Sequence, residues 1–499
     1  MLKASLISSY LSQVYISLIG LVLMPVYLNY MGAEAFGLVG FFIMLQNWLQ
    51  LLDLGLTPTL AREMSLFRAG VQSAEDTWGK LRSLEWILGG LAVVCVLVFW
   101  LSQRWIANDW LNLKTIDAEL VTSCIFLMSL SGTLRWLTGL YRAGLIGLER
   151  QLLVNSLLAF SSTFKFVVVI PILAISIVPS LAFFQFQMIV GVLELMIFAR
   201  MLYQSLPGRS RSILPSLIAL KIMWPTASAM AFMAGIWVFL TQIDKLILSR
   251  VLSLEAFGYF SLAVAVAGGV LILTPPLSQV LQPRMIILAA QNRRDELQDL
   301  YHTATQSAAV VLFVLGGGLA LFAEPLLSVW IGNSTVATEA APILFWYGLT
   351  NALIGLLVLP FMLQFAYGYL RLHVAGNILL ALTLLPSLVF ASLQLGAVGA
   401  GKVLLIANLL FLLFWVPIVH RRLMPQAIWQ WPLRDILPIA LTSLSVLWGT
   451  SMMLPTEAGR LMTGLMVATA LLVSAVAGIL AGNRTRELIR KMLFQRKKL

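Results

Sequence analysis

The sequence predicts an all-α polytopic membrane protein with about fourteen transmembrane helices, built as two parallel-repeat six-helix bundles plus a C-terminal helix hairpin. Three observations predict it. Of 499 residues, 60% are hydrophobic and 11% charged, whereas soluble domains average about 45–50% and about 25%. Mean hydropathy is +0.93. Apolar runs of crossing length, about 20 residues each, recur from one end of the chain to the other. Together these exclude an ordinary soluble enzyme, a disordered chain, a coiled coil and a secreted disulfide scaffold.

The first run, 8–28, follows Lys3 and carries Pro25; no small-residue cleavage site follows it, so it is expected to be retained as a span. Runs at 37–58, 84–101 and 119–141 come next, then 152–175 with Pro171 and 178–200. The second half holds runs at 222–243 with Pro225, 256–281 with Pro275, 304–323, 341–365 with Pro360, 373–391 with Pro386 and 397–419. Runs at 435–454 and 461–482 close the series. Neighbouring helices can satisfy the backbone groups that proline frees, so the prolines read as kinks within spans.

Charge orients these spans. With the N-terminus inside, the cytoplasmic segments hold 25 of the 33 Lys+Arg and the outside segments 6, leaving Arg135 and Lys165 within spans. This is a strong positive-inside bias. The formal net charge of +12 therefore reads as basic loops on anionic lipid, and nucleic acid is not an expected partner. Cys95, Cys124 and three scattered histidines give neither a disulfide framework nor a metal signature, and no nucleotide-binding motif occurs. No metal and no cofactor are expected.

An internal repeat organises the chain. Glu34-Ala35-Phe36-Gly37 returns as Glu255-Ala256-Phe257-Gly258, Leu56-Thr57-Pro58 as Leu273-Thr274-Pro275, and Gly89-Gly90-Leu91-Ala92 as Gly317-Gly318-Leu319-Ala320. Six spans separate the copies, and an even number preserves orientation, so the repeats are parallel. The expected domains are an N-terminal bundle over 1–211, a C-terminal bundle over 212–422, an appended pair over 423–482 and a basic tail over 483–499. Two such bundles predict a transporter that rocks around a site between them.

Particular motifs then carry a family resemblance. Asp53-Leu54-Gly55-Leu56 with Thr57-Pro58-Thr59-Leu60-Ala61-Arg62-Glu63 resembles the end of the second span in bacterial polysaccharide flippases. These are the Wzx-type O-antigen exporters of the multidrug/oligosaccharidyl-lipid/polysaccharide exporter superfamily. Gly147-Leu148-Glu149-Arg150 resembles their turn after the fourth span, and Ile243-Asp244-Lys245-Leu246-Ile247-Leu248 before Glu255-Ala256-Phe257-Gly258-Tyr259 resembles their seventh-span exit. The resemblance covers most of 1–420. It implies translocation of an undecaprenyl-pyrophosphate-linked oligosaccharide to the periplasmic leaflet of the bacterial inner membrane, by alternating access through a cationic cavity. Many members of that branch have twelve spans; fourteen occur in the related lipid II flippases. The partners it implies are the lipid-linked oligosaccharide, membrane lipids, and a polysaccharide polymerase with its chain-length regulator. A monomer suffices, because the pathway lies within one chain.

A pyrophosphate head in a low-dielectric space requires Lys or Arg, since an unpaired ion there costs several kcal/mol. Lys165, in the middle of the fifth span, is the first candidate; the alternative is a structural pair with Glu194. Arg135 and Arg142, seven residues apart in and after the fourth span, share one helix face, about 10 Å apart along the axis. They suit capture of the anionic head near the cytoplasmic mouth, with interfacial snorkelling the alternative. Lys245 and Lys402 are candidates at the outer side. Asp53, Glu194 and Asp244 are candidates for gating or ion coupling. Asp53 alternatively pairs with Arg62 or Arg135, Glu194 with Lys165 or Arg200, and adjacent Asp244 and Lys245 are expected to have different partners.

Among the remaining features, the 15 Trp read mostly as an interfacial belt. Gly316-Gly317-Gly318 reads as close helix packing or a hinge. The segment 59–83 and the tail from Arg484 read as amphipathic segments on the membrane surface.

Overall fold

The computed structural model describes residues 2–208, 217–455 and 459–496. Among them the regular structure is helical, with no β-strand. Among the described residues, ten helices are long and apolar enough to cross a membrane. Their outward faces leave Phe160, Phe390, Phe414 and Leu461 exposed, which is the surface a hydrocarbon solvent accepts. This is a multi-pass membrane protein.

Two of the ten are too long for one crossing. Ser8–Asp53 runs 46 residues and Leu370–Leu423 runs 54, roughly 70–80 Å at 1.5 Å per residue. Each is broken once. Gly32 interrupts α1 (Leu2–Leu49) at φ 80° and ψ 166°. Gly396 interrupts α14 (Leu370–Leu410) at φ 59° and ψ −141°. Both positive φ values favour glycine, and the breaks separate the expected runs one and two, and eleven and twelve.

Two compact units emerge, Met1–Gly258 and Tyr259–Leu499. The first contains α1, α2 (Leu56–Arg68), α3 (Ala74–Trp105), α4 (Ala118–Gly147), α5 (Gln151–Val167), α6 (Val169–Ile175), α7 (Pro179–Ser205) and α8 (Leu217–Val251). Its most extensive packing joins α4 to α7, with α1 on α5 and α2 on α4. A core of Leu60, Met64, Trp78, Leu81, Leu84, Leu140, Phe198 and Leu202 fills the end carrying the basic loops.

The boundary at 211/212 lies outside the described residues. Helix α8, expected to open the C-terminal bundle, packs within the first unit against α1, α2 and α3. A Cβ on Gly55 would lie 2.2 Å from the Ala227 carbonyl oxygen, and Asn47 donates to Gln242 at 3.1 Å. Polar and close backbone contacts thus hold α8 on α1 and on the turn before α2.

Segment 59–83 also differs from a single surface helix. Helix α2 buries Leu56, Thr59, Leu60, Glu63 and Met64, and Lys80 of α3 pairs with Glu63. The apolar face of α2 packs on protein: a Cβ at Gly147 would sit 2.3 Å from the Ala61 carbonyl oxygen. Ser73 caps α3, accepting from Asp76 N at 3.1 Å.

In the second unit α11 (Arg294–Leu321) packs on α13 (Ser334–Ala366) and on α17 (Leu437–Ser451). The triple glycine sits on α11. A Cβ on Gly316 would lie 2.7 Å from the Gly348 oxygen; on Gly317 and Gly318 it would lie 2.4 Å from Leu444 and Leu471. Each glycine admits a different neighbour, so close packing is its role here. The appended pair α17 and α18 (Arg460–Ala481) packs together and on α11. The tail forms helix α19 (Asn483–Arg496), anchored by Arg484 on Asp299 at 2.8 Å.

Candidate functional site

Helices α4, α5 and α7 bring together four of the candidate residues. Arg135 and Arg142 lie on α4, Lys165 near the end of α5, and Glu194 on α7. Helices α4 and α7 run side by side in the same direction: a Cβ on Gly191 would touch Leu134, and one on Gly144 would touch Leu202 further along both helices. The two-turn spacing of Arg135 and Arg142 is therefore met by the two-turn spacing of Gln187 and Glu194.

Arg135 is fixed on two sides. Its Nη2 donates to the Gln187 amide oxygen, and its guanidinium lies 5.3 Å from the Phe42 ring centroid, within cation–π range. Its Nε is buried with no acceptor among the described residues. Lys165 Nζ stands 4.8 Å from the Phe166 ring centroid. Glu194 accepts from the Ser161 hydroxyl and lies within electrostatic reach of Arg135, Arg142 and Lys165. Three cations and one carboxylate give the cluster a formal charge of +2. Burying that charge unmatched is unfavourable, so the cluster is chemically suited to an anion of about two negative charges.

The other candidates lie apart from this cluster. Asp53 pairs with neither Arg62 nor Arg135. It accepts from Thr57 N at the start of α2 at 3.3 Å and from the Thr57 hydroxyl, while Arg62 pairs with Glu63 at 3.1 Å. The left-handed Leu54 and Gly55 that follow it turn the chain into α2 and bring its carboxylate onto the free N–H of Thr57. Asp244 and Lys245 do meet, against the expectation from adjacent helix positions. Lys245 Nζ curls back to the Thr241 oxygen at 2.6 Å and stands 3.4 Å from the Asp244 carboxylate; a four-carbon stem has that reach. Lys402 is in the second unit, with Nζ 5.4 Å from the Trp346 ring centroid.

Residues 2–289 match the family described as polysaccharide biosynthesis protein. The chain belongs to that family. Comparison with curated proteins gives no match. Among solved structures, the lipid II flippase MurJ in an inward closed conformation is similar over 97% of this chain and 99% of that one, with TM-score 0.72 and 14% identity. An inward-facing multidrug resistance MATE family transporter of the MOP superfamily is similar over 83% and 99%, with TM-score 0.67 and 13% identity. A MOP superfamily transporter from Pyrococcus furiosus follows over 82% and 95%, with TM-score 0.52 and 12% identity. At these identities the likeness is one of fold: this member of the family shares the polytopic helical fold of those structures.

Reasoning from sequence missed Gln187, Ser161 and Phe42. The signal for Gln187 was present: it precedes Glu194 by seven residues, the same interval as Arg135 to Arg142. A second polar group also escaped notice. Arg82 donates to Glu85 at 2.6 Å and lies 5.1 Å from the Tyr203 ring centroid, and Tyr203 donates to Glu85 at 2.6 Å. In the second unit, buried Asp435 meets His302 and accepts from Gln306 at 2.7 Å, and Gln306 accepts from Arg484 N at 2.8 Å.

Proposed function

We propose that the protein is a flippase for an undecaprenyl-pyrophosphate-linked oligosaccharide, an O-antigen or exopolysaccharide repeat unit. It moves this lipid from the cytoplasmic to the periplasmic leaflet of the bacterial inner membrane by alternating access and is not an enzyme. Fourteen crossings with both termini in the cytoplasm complete the reading. The observation that carries it is the +2 cluster of Arg135, Arg142, Lys165 and Glu194 inside span-forming helices. A pyrophosphate diester, with about two negative charges, matches it. A multidrug exporter for cationic compounds would need an acidic cluster instead.

The membrane potential supports export of such a head group. Moving one charge across 100 mV is worth about 2.3 kcal/mol, so two charges moving outward from an inside-negative compartment gain roughly 4–5 kcal/mol. Coupling to protons or sodium through Asp53, Glu194 or Asp244 is a further part of the proposal.

A lipid II flippase is the second reading. It is favoured by the likeness to MurJ over 97% of the chain, which takes in the appended helices. Deleting the gene in the source bacterium separates the readings. The main reading predicts loss of surface polysaccharide and accumulation of its lipid-linked units on the cytoplasmic side. Accumulation of lipid II with arrested wall synthesis would support the second. Units that reach the periplasmic leaflet yet stay unpolymerised would show a polymerase or ligase and contradict both.

A further inference from the structure

The contact between Arg135 and Gln187 has an unusual chemistry for its setting. A guanidinium among apolar helices is ordinarily met by a carboxylate, because burying an unmatched charge is costly. Here the residue in direct contact is neutral. Gln187 is only 2% exposed, so it meets Arg135 rather than solvent. Its amide oxygen accepts from Arg135 Nη2, and the Phe42 face supports the guanidinium at 5.3 Å. Glu194, two turns further on the same face of α7, accepts from the Ser161 hydroxyl and not from Arg135, Arg142 or Lys165. Meanwhile Arg135 Nε points at no acceptor among the described residues.

We infer that Gln187 is a positioning residue that orients Arg135 without neutralising it, leaving the guanidinium charged and partly unsatisfied for the phosphate oxygens of the substrate. This rests on the anionic lipid-linked substrate proposed above. A carboxylate at this position would make a charge-assisted, fork-shaped pair with the guanidinium. That pair would be a better structural contact and a worse binding site. An aliphatic residue would leave the charge intact but release its orientation. The amide supplies orientation and leaves the charge available.

The test uses full-length protein in detergent, with inorganic pyrophosphate as the probe, calorimetric titration at several salt concentrations and a melting temperature for each variant. Gln187→Glu is expected to melt no lower than the wild type and to bind pyrophosphate roughly ten- to hundredfold more weakly. Its salt dependence should fall to that of Arg135→Ala, because one cation no longer acts on the probe. Gln187→Met is expected to bind at an intermediate strength and keep the wild-type salt dependence. A purely structural glutamine gives the opposite order, with Gln187→Met the weaker binder and Gln187→Glu harmless. Wild-type binding by Gln187→Glu, alongside loss of binding in Arg135→Ala, overturns the role of Gln187 and leaves the anion site standing. Wild-type binding in Arg135→Ala, Arg142→Ala and Lys165→Ala alike, or no binding by the wild type, overturns the anion site itself and this inference with it.

Discussion

The carbonyl oxygen of Ala33 occupies the space where a side chain on Gly258 would begin, 2.4 Å from its Cβ position. The relation is reciprocal: a Cβ on Gly37 would lie 2.1 Å from the Leu254 oxygen. These glycines end the two copies of Glu-Ala-Phe-Gly, so each copy of the repeat packs its glycine on the backbone that precedes the other. The contact explains why the motif ends in glycine twice.

Gly258→Ala and Gly37→Ala should therefore each destabilise the protein by about 1–3 kcal/mol, the usual range for overpacking. Backbone atoms stand in the way on both sides and have little room to yield. Gly89→Ala is the control, since a Cβ there meets nothing within 4 Å, and alanine favours helix over glycine. Thermal denaturation in detergent should show lower melting for the first two and unchanged or higher melting for the third.

Lys114 clasps both copies. Its backbone N donates to Glu34 at 2.6 Å and its Nζ to Glu255 at 3.0 Å; Thr115 N adds a bond to Glu34 at 3.0 Å. Glu34 is buried, whereas the side chains of Lys114 and Glu255 are exposed. Lys114→Ala keeps the backbone bond and should cost at most about 1 kcal/mol. Glu34→Ala removes the shared acceptor of Lys114 N, Thr115 N and the Thr115 hydroxyl and should cost more, about 1–2 kcal/mol, since bonds to a charged acceptor are the stronger ones. Equal melting losses in the two variants would contradict this division.

The sequence made the fold class legible because crossing length, hydropathy and charge bias are properties of whole segments. Gly316-Gly317-Gly318 was legible as packing for the same reason. The site was half legible. Arg135, Lys165 and Glu194 stand out because ions are costly in such helices, but a buried amide such as Gln187 is cheap enough to escape attention. The contact of Asp53 with Thr57 depends on a local turn at Leu54 and Gly55, which charge arithmetic does not register. The contacts of α8 with α1, α2 and α3 are long-range, and its own apolar pattern does not encode them.

Glu194 is the one carboxylate of the cluster, so Glu194→Gln raises its formal charge from +2 to +3. The expected result is tighter pyrophosphate binding and slower turnover, because release of the anion becomes harder. Equilibrium titration and transport measured on the same preparation check both halves. Weaker binding in this variant would mean that Glu194 orients the cations more than it offsets them.

The network of His302, Gln306 and Asp435 should be structural and independent of transport. Asp435→Leu leaves His302 and Gln306 without their shared acceptor, at about 1–3 kcal/mol for each orphaned group. The loss should appear in melting temperature, and Gln306→Leu should additionally free the start of α19, read as faster amide exchange around Arg484. Pyrophosphate binding should be unchanged in whatever fraction remains folded.

The most direct test of the central claim is flipping in reconstituted vesicles. Purified protein would be placed in liposomes carrying an undecaprenyl-pyrophosphate-linked oligosaccharide on one leaflet, and its arrival on the other leaflet followed by a lectin or glycosidase. Wild-type protein should move the lipid, and Arg135→Ala and Lys165→Ala, matched for melting temperature, should move it far more slowly. Equal rates in all three, or no rate above protein-free vesicles, would contradict the account.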